Sequence, residues 1–144
     1  MALGSQPAQA DWTFGETASK FEFGTRNWHT FVALADSIDY LSGLGWETIE
    51  RHCGELSAEL KRCLQAEPGV TLHSPVDWKD SSGLVTFTYE GWDGVELSQR
   101  LWNDFQLIQR RVQVPNGVRI SCAYFNTQDD LDRLFDALRK LRRG

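Results

Sequence analysis

The 144-residue chain has no long uncharged apolar run, only three cysteines and no glycine-rich nucleotide loop. Each absence removes a class of function. A membrane span needs about 20 consecutive apolar residues, and none is present. The start has no basic segment followed by an apolar one, so no secretory signal is expected. Cys53, Cys63 and Cys122 are too few and too odd in number for a disulfide framework. They also lack the C-x-x-C spacing of a zinc site. A reduced, cytoplasmic protein is the simplest expectation. Fifteen basic residues against 20 acidic ones give a net charge of −5, whereas a nucleic-acid binder needs a basic field. Neither a nucleic acid nor a membrane is an expected partner. The one basic cluster, "RKLRRG", closes a helical pattern and complements its dipole.

The usual catalytic constellations are missing as well. His29, His52 and His73 fall on different elements, and no pair has the i, i+4 spacing of metal ligands. No serine sits in a G-x-S-x-G elbow, and neither a P-loop nor a G-x-G-x-x-G turn occurs. The carboxylates fall mostly on predicted solvent faces. No metal site and no catalytic residue is therefore assigned.

What is present reads as one α+β domain. Residues 1–11 are small, polar and aperiodic, and 1–19 are expected to be a leader or linker to a folded domain at 20–144. A first helix is predicted from about His29 to Leu41, with Phe31, Leu34, Ile38 and Leu41 as its stripe and "SGLG" as its stop. A second runs from Trp46 to Ala66. Trp46, Ile49, Cys53, Leu56, Leu60 and Cys63 lie on one face, and Glu50, Arg51, Glu55, Glu59, Lys61 and Arg62 on the other. The period then changes to that of strands, "VTLH" and "GLVTFTYE". A helix follows from Gly94 to Phe105, with Asp93 as N-cap and Val95, Leu101, Trp102 and Phe105 facing inward. "LIQRRV" and "VRISCAYF" flank a Pro115-Asn116-Gly117 turn and read as an antiparallel hairpin. The last helix starts at Thr127, where Asp130 completes an acidic capping box, and buries Leu131, Leu134, Phe135, Leu138 and Leu141. The order predicts a small, mostly antiparallel sheet with helices layered on one face.

Two polar stretches stand out. In "KFEFGTRN", Gly24 lets the chain turn, and Thr25 offers a hydroxyl and an N–H close to a helix start. Such groups bind phosphate oxygens, although composition alone favours Thr25 and Asn27 as plain caps of the first helix. In "VRIS", Arg119 points away from whatever Val118 and Ile120 pack against. Its planar fork suits a carboxylate, or it is an ordinary exposed strand arginine.

In this order, the two stretches resemble the C-terminal part of the class V pyridoxal-phosphate-dependent aminotransferases, a superfamily that includes cysteine desulfurases. "FEFGTRN" is similar to the family's F-E-x-G-T-x-N loop. "VRISCAYFNTQDDLDRLFDAL" is similar to its V-R-x-S…Y/F-N-T ending. The resemblance covers roughly residues 20–142. It implies the fold type I C-terminal domain, a homodimer and an amino-acid substrate. It also implies roles: Thr25, with Gly24 and Asn27 beside it, binds the phosphate of a cofactor held by the partner subunit. Arg119 holds the substrate α-carboxylate, with Arg26 near the same site. Asn126 and Thr127 match the family's N-T pair.

The departures carry as much information. The family's cofactor lysine lies in a large domain upstream of the G-T-x-N loop. Here only Lys20 precedes that loop, and "TASKFEF" does not match. Pyridoxal 5′-phosphate is thus expected in the complete enzyme, not covalently on this chain, and the large domain is the missing partner. Desulfurases also carry a nucleophilic cysteine between the two hairpin strands. Only "QVPNG" stands there, and Cys122 lies beyond Arg119. An aminotransferase, C–S lyase or epimerase-like reaction is expected instead, while Arg110 approximately matches an arginine near the family's active site. The alternative is a free-standing oligomerisation or small-ligand-binding domain, with Trp12 and Trp28 exposed on a former interface.

Overall fold

Residues 15–21, 24 and 27–142 are described by the computed structural model, and the chain divides into two units, residues 1–40 and 41–144. In the first unit, a 3-10 turn at Ala18–Phe21 precedes helix α1 (Trp28–Leu44), which continues past the unit boundary. Asn27 caps α1, its Oδ1 accepting the Thr30 N–H at 3.3 Å. The helix outlasts its expected end at Leu41, because a lone helical glycine such as Gly43 costs only about 1 kcal/mol. Gly45, at φ 88°, breaks it. The predicted stripe is not a core. Phe31, Leu34 and Ile38 are all exposed, and no residue of α1 is buried. Periodicity shows that a helix has an apolar side but not what covers it.

The second unit holds the core. Helix α2 (Trp46–Ala66) has the expected bounds and buries Leu56, Leu60 and Leu64, while Trp46 at the head of its stripe is exposed. Lys61 departs furthest from expectation. It was placed on the charged face and is only 1% exposed. A loop with a 3-10 turn at Trp78–Asp80 crosses that side of α2. Lys61 Nζ donates to Ser81 Oγ at 2.6 Å and to the Val76 carbonyl at 3.4 Å, and Ser57 Oγ donates to the Ser82 carbonyl at 3.1 Å. Burial pushes the Lys61 pKa down, against the opposing pull of Cys122 and Asp77.

Strands β1 (Val70–Leu72), β2 (Leu84–Tyr89), β3 (Arg110–Val112) and β4 (Gly117–Ser121) form one sheet in the order β1-β2-β4-β3, antiparallel throughout. The predicted hairpin is thus β3–β4. One sheet face is apolar, with Val85, Phe87, Tyr89 and Val118 buried against the helices. Helix α3 (Gly94–Phe105) starts at Asp93, whose Oδ1 accepts the Val95 and Glu96 N–H groups at 2.7 and 2.9 Å. Its inward residues are Leu97 and Leu101, whereas Val95 and Trp102 are exposed. Trp102 follows Leu101 by one residue, about 100° around the helix, so both cannot face the sheet. Helix α4 (Gln128–Leu141) buries all five predicted residues. Tyr89 Oη donates to the Leu138 carbonyl at 2.9 Å, tying β2 to α4. At its end, Arg139 pairs with Asp136 and Glu67. The expected α+β architecture is what the chain adopts. No helix among the described residues is long and apolar enough to cross a membrane.

Candidate functional site

Strand alternation decides where the chemistry sits. Val118 and Ile120 pack on the core, so Arg119 between them projects from the opposite, open face of the sheet. Register places Thr86 of β2 and Arg110 of β3 directly opposite Arg119, one on each side. Residues paired in this way point to the same face. The open face therefore carries the row Thr86, Arg119, Arg110. Thr88 lies along β2 from this row, its Oγ1 3.0 Å from His73 Nε2.

Arg119 is half-buried, and its Nε is shielded from solvent with no hydrogen-bond partner among the described residues. A buried donor left unsatisfied costs about 1–3 kcal/mol. A β-strand arginine that merely reaches into water would not incur that cost. An acceptor from outside the chain would remove it.

A cleft of about 590 Å³ lies between residues 106–110, the end of β4 and the start of α4, with Leu56, Ile120 and Leu134 among its lining. Arg110 is on its wall, whereas Arg119 is not. Beyond β4, the chain is fixed by Asn126. Its Oδ1 accepts the Ala123 N–H at 3.0 Å and its Nδ2 donates to Asp130 Oδ2 at 3.1 Å. The same Asp130 oxygen accepts the Thr127 N–H at 3.1 Å, in the expected capping box. These donors, Asn126 foremost, hold the Asp130 carboxyl below its ordinary pKa. His52 Nε2 donates to the Asn126 carbonyl at 2.9 Å. Asn126, Thr127 and His52 are thus spent on the loop's own structure. No cluster of metal-ligating side chains occurs among the described residues.

Of the predicted cofactor residues, Thr25 lies outside the described residues, as does Arg26. Gly24 is exposed at φ 55°, a left-handed conformation that suits a tight turn. Asn27 serves α1 as its cap. The described lysines are engaged elsewhere: Lys61 inside the core, Lys79 near Asp77 and Asp80, Lys20 and Lys140 over phenylalanine rings. Sequence reasoning singled out Arg119, and the family resemblance pointed to Arg110, but neither indicated Thr86 or the direct pairing of the two arginines. The hairpin carried the signal: pairing Val112 with Gly117 across the turn brings Arg110 opposite Arg119.

The description "Aminotransferase class-V" matches residues 3–134. The chain belongs to the class V aminotransferases. It is 34% identical over 141 residues to isopenicillin N epimerase of Streptomyces clavuligerus, covering 94% of this chain and 35% of that protein. Cysteine desulfurase from Thermococcus onnurineus NA1, solved in its apo form, superposes with a TM-score of 0.77 at 22% identity. That match covers 90% of this chain and 35% of the solved one. A C-DES variant with glycine covalently linked to its PLP cofactor superposes with a TM-score of 0.73 at 22% identity, over 86% of this chain and 32% of that one. This class V chain spans about a third of the length of the relatives it matches.

Proposed function

We propose that this chain is the C-terminal domain, residues 20–144, of a class V enzyme acting on an amino acid with pyridoxal 5′-phosphate, and that it supplies the substrate side of a composite site. The observation that carries the proposal is the Arg119 guanidinium on the open sheet face, its Nε without an acceptor. A substrate carboxylate completes that group, and the arginine fork sets its orientation. Gly24, in a left-handed turn ahead of α1, suits the cofactor phosphate, with Thr25 as the principal donor and Asn27 holding the helix start beside it. The phosphate would belong to a cofactor seated in the other subunit of a dimer. When bound, that cofactor supplies an electron sink for chemistry at the substrate α-carbon. This chain's residues bind and orient but move no proton, and Lys20, the lysine ahead of the G-T-x-N loop, stands in a sequence unlike that of the family's cofactor lysine. The chain alone is therefore inactive.

The reaction is an aminotransferase, C–S lyase or epimerase-like one. The connection between β3 and β4 holds only Gln113, Val114, Pro115 and Asn116, which leaves no cysteine to act as a persulfide nucleophile. Cys122, beyond β4, is buried, and burial pushes its thiol up to about 11, so it is not a thiolate at neutral pH. The free thiols suit a reducing cytoplasm.

The test is a fusion of this chain to the large domain of a class V relative. A folded, PLP-loaded fusion should turn over amino acids, and Thr25→Ala or Arg119→Ala should each abolish turnover. A folded, PLP-loaded fusion that is indifferent to both substitutions would contradict the proposal. A second reading, a free-standing association domain, draws on the exposed Trp28, Phe31, Leu34 and Ile38 of α1. Trp12 of that reading lies outside the described residues.

A further inference from the structure

Arg110 and Arg119 occupy directly opposed positions on neighbouring antiparallel strands and share the open sheet face. Their Cα atoms are therefore about 5 Å apart. Like charges directly opposite one another destabilise a sheet, and natural sheets place opposite charges there to gain stability. Here no acidic side chain joins the pair. Among the described residues, neither guanidinium has a salt-bridge partner; Arg111 and Arg142 share this, whereas arginines 51, 62, 100, 133 and 139 each have one. The third member of the row, Thr86, is a neutral hydroxyl. Arg110 also lines the 590 Å³ cleft, whose carboxylate, Asp130, is engaged by Asn126 and Thr127, and a shallow hollow with Ser98, Gln109, Arg111 and Gln113 that contains no carboxylate.

We infer that Arg110 is a specificity-determining residue: it takes a second anionic group of the substrate, selecting amino acids whose side chain ends in a carboxylate or comparable anion. This rests on the proposed placement of the α-carboxylate at Arg119. One dianionic ligand relieves the repulsion between the two arginines and gives Arg119 Nε its missing acceptor. A monoanion satisfies Arg119 alone and leaves Arg110 in water. Two arginine forks on directly opposed residues suit a ligand that carries two carboxylates. Thr86, on the far side of Arg119, adds a hydroxyl to the first carboxylate and does not contribute to the choice.

The test uses the intact chain and two probes that differ by one carboxylate, glutarate and butyrate, titrated at matched ionic strength while the arginine side-chain NMR signals are followed. Glutarate should bind about fivefold tighter than butyrate and shift the Arg110 and Arg119 signals together, an effect in the range of one exposed charge pair. Arg110→Gln should bring the preference below about twofold while butyrate still shifts Arg119. Arg110→Lys, which keeps the charge but not the fork, should retain part of it. Arg51→Gln, the same charge change on α2, should leave it intact. The inference is overturned if glutarate has no preference, if the preference survives Arg110→Gln, or if Arg51→Gln removes it equally. Failure of butyrate to shift Arg119 in the unsubstituted chain would contradict the α-carboxylate reading instead, and the two failures are read from different signals.

Discussion

Lys61 Nζ donates to Ser81 Oγ at 2.6 Å inside the second unit, with the lysine only 1% exposed. A charge so deeply placed is retained only because it is hydrogen-bonded, and here the bond fastens the loop before β2 to α2. Lys61→Ala should therefore lower stability by about 2–3 kcal/mol, combining an emptied volume with orphaned acceptors. Lys61→Met fills the space without the charge and should cost less. Urea unfolding midpoints of the three proteins provide the check. Equal midpoints would mean that the contact contributes nothing.

Cys122 gives the chain a pH dependence of definite sign. Burial raises its folded pKa to about 11 from an ordinary 9.0. Between these values the unfolded thiol ionises while the folded one stays protonated, so the folded state binds more protons. Stability should fall as pH rises from 9.0 towards about 11. The difference between wild type and Cys122→Ala, measured by urea unfolding across that window, isolates the effect from lysine titration nearby. The difference should change with pH in the stated direction. A pH-independent difference contradicts it.

The loop after β4 depends on one carboxylate. Asp130 accepts from Asn126 Nδ2 and from the Thr127 N–H, which lowers its pKa. That stabilisation is fully present above the ordinary carboxylate pKa and is lost as pH falls through the depressed folded value. Asp130→Ala should cost about 1 kcal/mol at neutral pH, the usual magnitude for a cap, and should flatten the acid limb of the stability profile. Thermal melts at neutral and acid pH measure both effects.

Much of this is legible in the sequence. Asp93, Thr127 and the leucine stripe of α4 announce their roles because capping chemistry and helical period are local properties. Lys61 reads as a charged-face residue in sequence because its burial comes from a loop about 20 residues away, and no helical pattern encodes what crosses it. Trp102 and Val95 read as inward in sequence but are exposed, because a short helix with apolar residues on more than one side leaves its facing side undecided. α1 shows the same limit, since its apolar side is evident in sequence and its exposure is not. At the site, alternation around Val118 and Ile120 aimed Arg119 correctly. Its empty Nε and its pairing with Arg110 emerged only with sheet register.

Arg119 is expected to trade stability for binding. Removing a buried donor that lacks an acceptor should leave the isolated chain as stable or up to about 1 kcal/mol more stable. Arg119→Met should therefore melt no lower than wild type while losing its response to carboxylates. A large loss of stability would mean that the guanidinium serves the fold.

The central claim is that this chain orients a substrate but does not itself hold the cofactor covalently. The most direct measurement is a spectrophotometric titration of the purified chain with pyridoxal 5′-phosphate, followed by borohydride reduction and mass analysis. The account predicts no stable absorption band from a lysine-bound cofactor and no adduct above the level of scattered surface lysines. A stable band that disappears on substituting one lysine, Lys20, Lys61, Lys79 or Lys140, would contradict it.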